Sequence, residues 1–317
     1  MLGFVAIQWW HWASFVLVIL MFLALDLGVF HREAREIRFR EALAWTAVWF
    51  STAMIFAITL IPTRGEEEAV DFIQGYLIEL SLSMDNVLVM GVIFQYFRVP
   101  REHQHRVLFW GILGALVMRG VMIWLGTELI RSYQWTFYIF GVFLVVTGAR
   151  ILAGEDEGEL QPDKHWVLRY ARRYLPLSPE ADGPRFVTTW QGRWALTPLA
   201  VVLIMVETTD LVFALDSIPA IFGVTTQRFI VFTSNVFAIL GLRSLYFVLA
   251  GALGYFRFLK VGLALVLTFI GLKMILADWY HLPSEISLAV VATIIGVAMI
   301  ASVLRRSPPT RRPEDAR

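Results

Sequence analysis

Apolar residues fill long stretches of this chain, and charged residues gather between them. Runs of about 18–20 apolar positions, long enough to cross a bilayer as helix, fall near 11–30, 43–62, 73–97, 107–127, 135–153, 196–222, 229–251, 260–279 and 285–304. The pattern predicts an all-α polytopic membrane protein with about nine transmembrane helices. Arginines and lysines then choose the sides. They crowd the loop holding Arg32, Arg35, Arg38 and Arg40, the turn with Arg98, Arg101 and Arg106, and the 154–195 segment with Lys164, Arg169, Arg172, Arg173, Arg185 and Arg193. Arg257, Lys260 and the tail from Arg305 continue the series, whereas the loop after the second run carries Glu66, Glu67 and Glu68. Basic residues thus mark every second connection. The positive-inside rule predicts the N-terminus outside and the C-terminus in the cytoplasm.

Two of the apolar runs look like copies of one another. One contains Glu79-Leu-Ser-Leu-Ser-Met-Asp85-Asn86-Val87, the other Asp210-Leu-Val-Phe-Ala-Leu-Asp216-Ser217-Ile218-Pro219. The likeness continues. Arg119 lies in the run after the first copy and Arg243 in the run after the second; Gly148-Ala-Arg150 and Gly271-Leu-Lys273 follow, 31 and 30 residues beyond those arginines. Each unit is therefore three spans. Three is odd, so the second unit enters the membrane from the opposite side, and the units are expected to form an inverted repeat. The organisation read from this is two N-terminal helices over 1–72, a first three-helix unit over 73–153, and a cytoplasmic linker over 154–195, partly helical around 164–174. A second unit over 196–280 and a last helix with a basic tail over 281–317 complete it.

An acid within a bilayer costs about 2.5–3.5 kcal/mol on insertion scales and marks a functional site. Glu79, Asp85, Glu207, Asp210 and Asp216 are five such acids, and they are the candidate metal ligands. Glu207 and Asp210, three residues apart, share a helix face. Glu79 and Asp85, like Asp210 and Asp216, are six apart, or about 240° after one full turn. Either they face different partners or the helix breaks between them. Pro219 argues for a break, because it deprives the Leu215 carbonyl of its donor. Ser81, Thr208, Asn86 and Ser217 add neutral oxygens, and Asp26 in the first run either lines the cavity or ends that helix. Arg119, Arg150, Arg243 and Lys273 are read as charge balance or gating. The competing reading makes the same acids and bases plain buried ion pairs.

Composition narrows the chemistry. The chain is 58% hydrophobic and 17% charged, with a net charge of +1 and no cysteine. No global field calls for nucleic acid, and thiolate metal sites and disulfides are excluded. An oxygen-only donor set favours Mn²⁺, Mg²⁺ or Ca²⁺ over Zn²⁺ or Cu⁺. His103 and His105 belong to a solvated basic loop.

The two acidic segments, Glu79 to Val89 and Val206 to Ala220, closely resemble the signature segments of the TerC family, in particular its Alx-type bacterial branch. Leu25-Asp26-Leu-Gly-Val-Phe-His31-Arg32, Leu242-Arg243-Ser244-Leu245-Tyr246-Phe247 and Phe269-Ile-Gly271-Leu-Lys273-Met274 look like that family too. The resemblance covers roughly residues 20–280. It implies an inner-membrane protein of metal homeostasis, from a family named for tellurium resistance with members linked to manganese efflux. It also implies kinship with exporters built on inverted three-helix repeats. The family's acidic positions fall on Glu79, Asp85, Glu207, Asp210 and Asp216.

The first functional expectation is export of a divalent metal ion, Mn²⁺ foremost. The carboxylates bind the ion at the membrane midplane, and protons compete for the same oxygens. The ion is cargo; no cofactor is expected. The alternative is a metal-binding scaffold or assembly factor without transport, with membrane-protein partners or further copies of itself, docking through 154–195. An intramembrane aspartyl protease is disfavoured: the Gly-x-Gly-Asp motif is missing, so no enzyme is expected.

Overall fold

The computed structural model describes residues 8–25, 39–154, 176–178, 183–190, 192–250, 258–280 and 282–304. Among these, nine helices form. They are α1 (Trp9–Leu25), α2 (Phe39–Arg64), α3 (Glu66–Tyr96), α4 (Arg101–Ser132), α5 (Trp135–Leu152), α6 (Pro198–Phe222), α7 (Arg228–Ala250), α8 (Leu259–Ile275) and α9 (Ser284–Leu304). Six of them, α2 to α6 and α9, are long and apolar enough to cross a membrane.

Local chemistry sets the boundaries. Gly65, at φ 102°, separates α2 from α3, a conformation costly for any other residue. Thr197 caps α6: its hydroxyl accepts from Ala200 N at 3.3 Å, and Pro198 occupies the first helical position. α3 and α4 start about six residues earlier than their apolar runs, at Glu66 and Arg101, because charged first turns extend each helix past its apolar stretch.

Two expectations are corrected. α6 does not break at Pro219 but continues to Phe222. Pro219 lies in the last turn, where one lost donor leaves little helix to disrupt, and its own carbonyl accepts from Gly223 N at 3.1 Å. α3 is likewise unbroken between Glu79 and Asp85. The linker also holds structure the apolar pattern does not suggest. β1 (Val187–Trp190) and β2 (Arg193–Leu196) pair antiparallel, with Val187 opposite Leu196 and Trp190 opposite Arg193. Gly192, at φ 75°, sits in the turn. Phe186 and Leu177 pack on the core cluster holding Val99, Val107 and Leu199, and the Arg106 guanidinium lies 5.4 Å from the Phe186 ring centroid. The helical stretch expected near 164–174 lies outside the described residues.

The helices pack reciprocally. α3 lies against α7, α4 against α6 and α5 against α8. α1 and α2 cover the α3–α7 face through rings, with Phe15 near Phe229 and Phe237 and Phe56 near Phe72. α9 closes the other flank against α3 and α8. The α5–α8 contact is backbone on backbone: a Cβ at Gly271 would stand 2.6 Å from the Gly141 carbonyl, and one at Gly141 would stand 3.0 Å from the Gly271 carbonyl. Small residues at such crossings let helices associate where lipid removes the hydrophobic drive. Of the six helices long enough to span, α3 and α6 are the most enclosed, about half buried along their apolar windows against 22% for α2, α5 and α9, and α7 is buried at most of its described positions.

A buried carboxylate–guanidinium centre

α3, α4, α6 and α7 meet at mid-length around Arg119. Glu79 is fully buried on α3, Asp210 is 3% exposed on α6, and Arg119 is 3% exposed on α4. Arg119 reaches both acids. Its Nε and Nη2 donate to the two oxygens of Asp210 at 3.2 and 2.9 Å, a two-point clasp, and its Nη1 donates to Glu79 Oε1. The same Nη1 approaches Asn235 Oδ1 at 3.3 Å and Ser217 Oγ at 3.4 Å. Each acid has a further donor. Asn86 Nδ2 donates to Asp210 at 2.6 Å, and Asn235 Nδ2 donates to Glu79 Oε2 at 3.0 Å. Ser83 Oγ adds a long contact of 3.4 Å to Glu79.

Among the described residues, these two carboxylates share one guanidinium. Glu207 is a third acid beside them. Its carboxylate rests on the bare backbone of Gly114, where any Cβ would collide with it. A small cavity between α3, α4, α6 and α7 is lined by Glu207 and Asp210, with Met90, Leu108, Gly111 and Leu242 as its walls. Glu207 and Asp210 therefore share one face, as their spacing predicts. Removing any one member of such a buried network leaves a polar group held out of water without its partner, which is costly.

The other candidate residues occupy different positions. Asp85 and Asp216 are partly buried. They lie about 9 Å beyond Glu79 and Asp210 along continuous helices and turned by about 240°, so the two acids of each pair leave different sides of their helix. Asn86 and Ser217, one residue further, turn inward and join the network. Ser81 and Thr208 spend their hydroxyls on their own helices, donating to Leu77 O at 2.8 Å and Ile204 O at 2.7 Å. Arg150 is exposed at the end of α5. Lys273 is part-buried at the end of α8, where it donates to Ser287. Asp26 and the side chain of Arg243 lie outside the described residues. Among the described residues, no group of three or more His, Asp or Glu side chains is placed to hold a metal ion.

Asn235 is the residue that sequence reasoning missed. Its signal was present: Thr233, Ser234 and Asn235 are three consecutive polar positions in an apolar helix, and all are fully buried. The sequence repeat makes Arg243 the counterpart of Arg119 in the second unit. Eight residues, about 12 Å, separate it from Asn235 along α7.

A bundle of long apolar helices closed around a buried carboxylate–guanidinium network defines an integral membrane protein with a polar core. The chain belongs to the integral membrane protein TerC family, whose model matches residues 64–310. It is 49% identical over 300 residues to an uncharacterized membrane protein of Myxococcus xanthus, covering 94% of each chain. It is 45% identical over 299 residues to the putative membrane-bound redox modulator Alx of Escherichia coli K12, covering 91% of this chain and 92% of that one. An uncharacterized membrane protein of Rickettsia bellii is 38% identical over 297 residues, covering 93% and 98%. No solved structure matches the chain.

Proposed function

We propose that the protein exports a divalent metal ion, Mn²⁺ foremost, through the Glu79–Asp210 centre, with protons as the coupling ion. One observation carries this reading: two buried carboxylates on two look-alike helices share a single guanidinium, and a third acid, Glu207, lines a small cavity together with Asp210. The carboxylates select a cation, and the oxygen donors select a hard one. Arg119 holds the acids while no ion is bound. Binding then requires Arg119 to release at least one carboxylate, and its return expels the ion. Asp85 and Asp216 lie further along the same helices, where they take the ion or its replacing protons next.

The reciprocal packing of α3 on α7, α4 on α6 and α5 on α8 supports the inverted-repeat reading, since exchanging the two units leaves that set of pairs unchanged. In this reading all nine helices cross the inner membrane, with the N-terminus outside. The redox role in the Escherichia coli relative's name cannot come from a thiol of this chain, which has no cysteine.

The test is flux. The purified full chain in liposomes should move Mn²⁺ in step with a pH gradient, and Asp210→Asn should cut the rate at least tenfold, as loss of a charged ligand does. Wild-type flux in Asp210→Asn and in Asp85→Asn would remove the carboxylate route. A second reading rests on the acids being fully engaged by Arg119: a metal-responsive membrane scaffold that transports nothing. Absence of flux for Mn²⁺, Ca²⁺ and Mg²⁺ alike, with partner proteins retained on purification, would establish it.

A further inference from the structure

A second polar cluster lies where the start of α3, the end of α8 and the start of α9 meet. α3 supplies Asp71 and Gln74, three residues apart and so on one helix face. α8 supplies Lys273 and α9 supplies Ser287. Gln74 and Ser287 are fully buried and Asp71 is 7% exposed. Gln74 Nε2 donates to Ser287 Oγ at 2.7 Å, and Lys273 Nζ reaches the same oxygen at a long 3.4 Å. The hydroxyls of Thr225 and Ser284 interact with the Asp71 carboxylate, and Lys273 and Glu67 act on it through space.

From the described residues, two buried acceptors here receive no hydrogen bond, Asp71 Oδ1 and Gln74 Oε1. Buried acceptors are nearly always satisfied, so two on adjacent turns of one helix call for an explanation. A positively charged guest supplies it. The donor atoms are carboxylate, amide and hydroxyl oxygens, the set a hard cation takes. Lys273 is the natural stand-in for that guest: a compact charge on a flexible stem, weakly held at Ser287 and drawn towards Asp71. Gln74 precedes Glu79 by five residues, about 7.5 Å along α3, so this cluster is separate from the Arg119 centre.

We propose that Asp71, Gln74, Thr225 and Ser287 form a second, weak site for a hard divalent cation, in which the Lys273 ammonium is a tethered cation that the ion displaces. Its physiological meaning rests on the transport reading: an ion arriving from the centre pauses at Asp71, and Lys273 then takes its place and bars its return.

Mn²⁺ binding to the purified full chain, read as loss of the free-ion EPR signal, tests this in an Asp210→Asn background that silences the centre. Lys273→Gln should tighten binding about tenfold, a typical coupling between two ligands for one site. Adding Asp71→Asn should abolish the gain. Equal binding in all three proteins overturns the site. If Lys273→Gln does not fold, Asp71→Asn alone should remove the weak binding that Lys273→Arg keeps, and equal binding in that pair likewise overturns the site. Binding that depends on Asp71 in a protein that moves no ion supports the site and removes the transport reading. Flux without Asp71-dependent binding overturns the site and leaves transport standing.

Discussion

α3–α4 and α6–α7 contribute unequal halves to one centre. Each half brings a mid-helix acid, Glu79 or Asp210, and a polar residue seven positions on, Asn86 or Ser217. The helix that follows differs. α4 brings Arg119, whereas α7 brings Asn235 at the same level. A second arginine would give each acid a cation of its own. Among the described residues, one arginine and one asparagine keep both acids hydrogen-bonded instead, and the proposed ion site rests on that difference.

Breaking the comparison at its charged member should have the largest effect. Arg119→Met leaves Glu79 and Asp210 buried without a counter-charge. It should cost about 3–5 kcal/mol, seen as a fall in thermal stability in detergent or in loss of folded protein from the membrane. Arg119→Lys should restore only part of this, because one ammonium cannot clasp Asp210 at two points. At the neutral member the effect should be smaller. Asn235→Ala removes the donor to Glu79 Oε2 and should cost about 1–3 kcal/mol in the same unfolding measurement. A cost equal to that of Arg119→Met would mean that the halves are energetically equivalent. The smallest effect belongs to the outer ends of the same two helices, where Arg228 of α7 meets Glu128 of α4 with the acid 53% exposed. Glu128→Gln should change stability by at most about 1 kcal/mol, vanishing at high salt. Anything larger would mean that the α4–α7 contact is held at its end and not at its centre.

Helix positions were legible because a bilayer enforces them: apolar runs of one length, basic residues on alternate connections. The acids were legible because a charge in an apolar run is conspicuous. Asn235 was not, since an amide costs less to bury than a charge and three-dimensional proximity across 156 positions leaves no trace in one sequence. Arg119 was visible, but its double clasp was not, because pairing depends on helix rotation and on which helices touch. The hairpin at 187–196 escaped because its strands are four residues long and half exposed.

The glycine seam between α5 and α8 has a mechanical consequence. With Gly141 and Gly271 touching through their backbones, the seam has no slack along its length. A slip of one helical turn, about 5.4 Å, would drive Val145 or Phe137 into the space that Gly141 leaves for the other helix. Gly148, two turns further along α5, meets the Ala264 carbonyl as closely: a Cβ there would stand 2.6 Å from it. The two helices are therefore keyed at two points, and the seam couples the two halves of the molecule as one stiff strut.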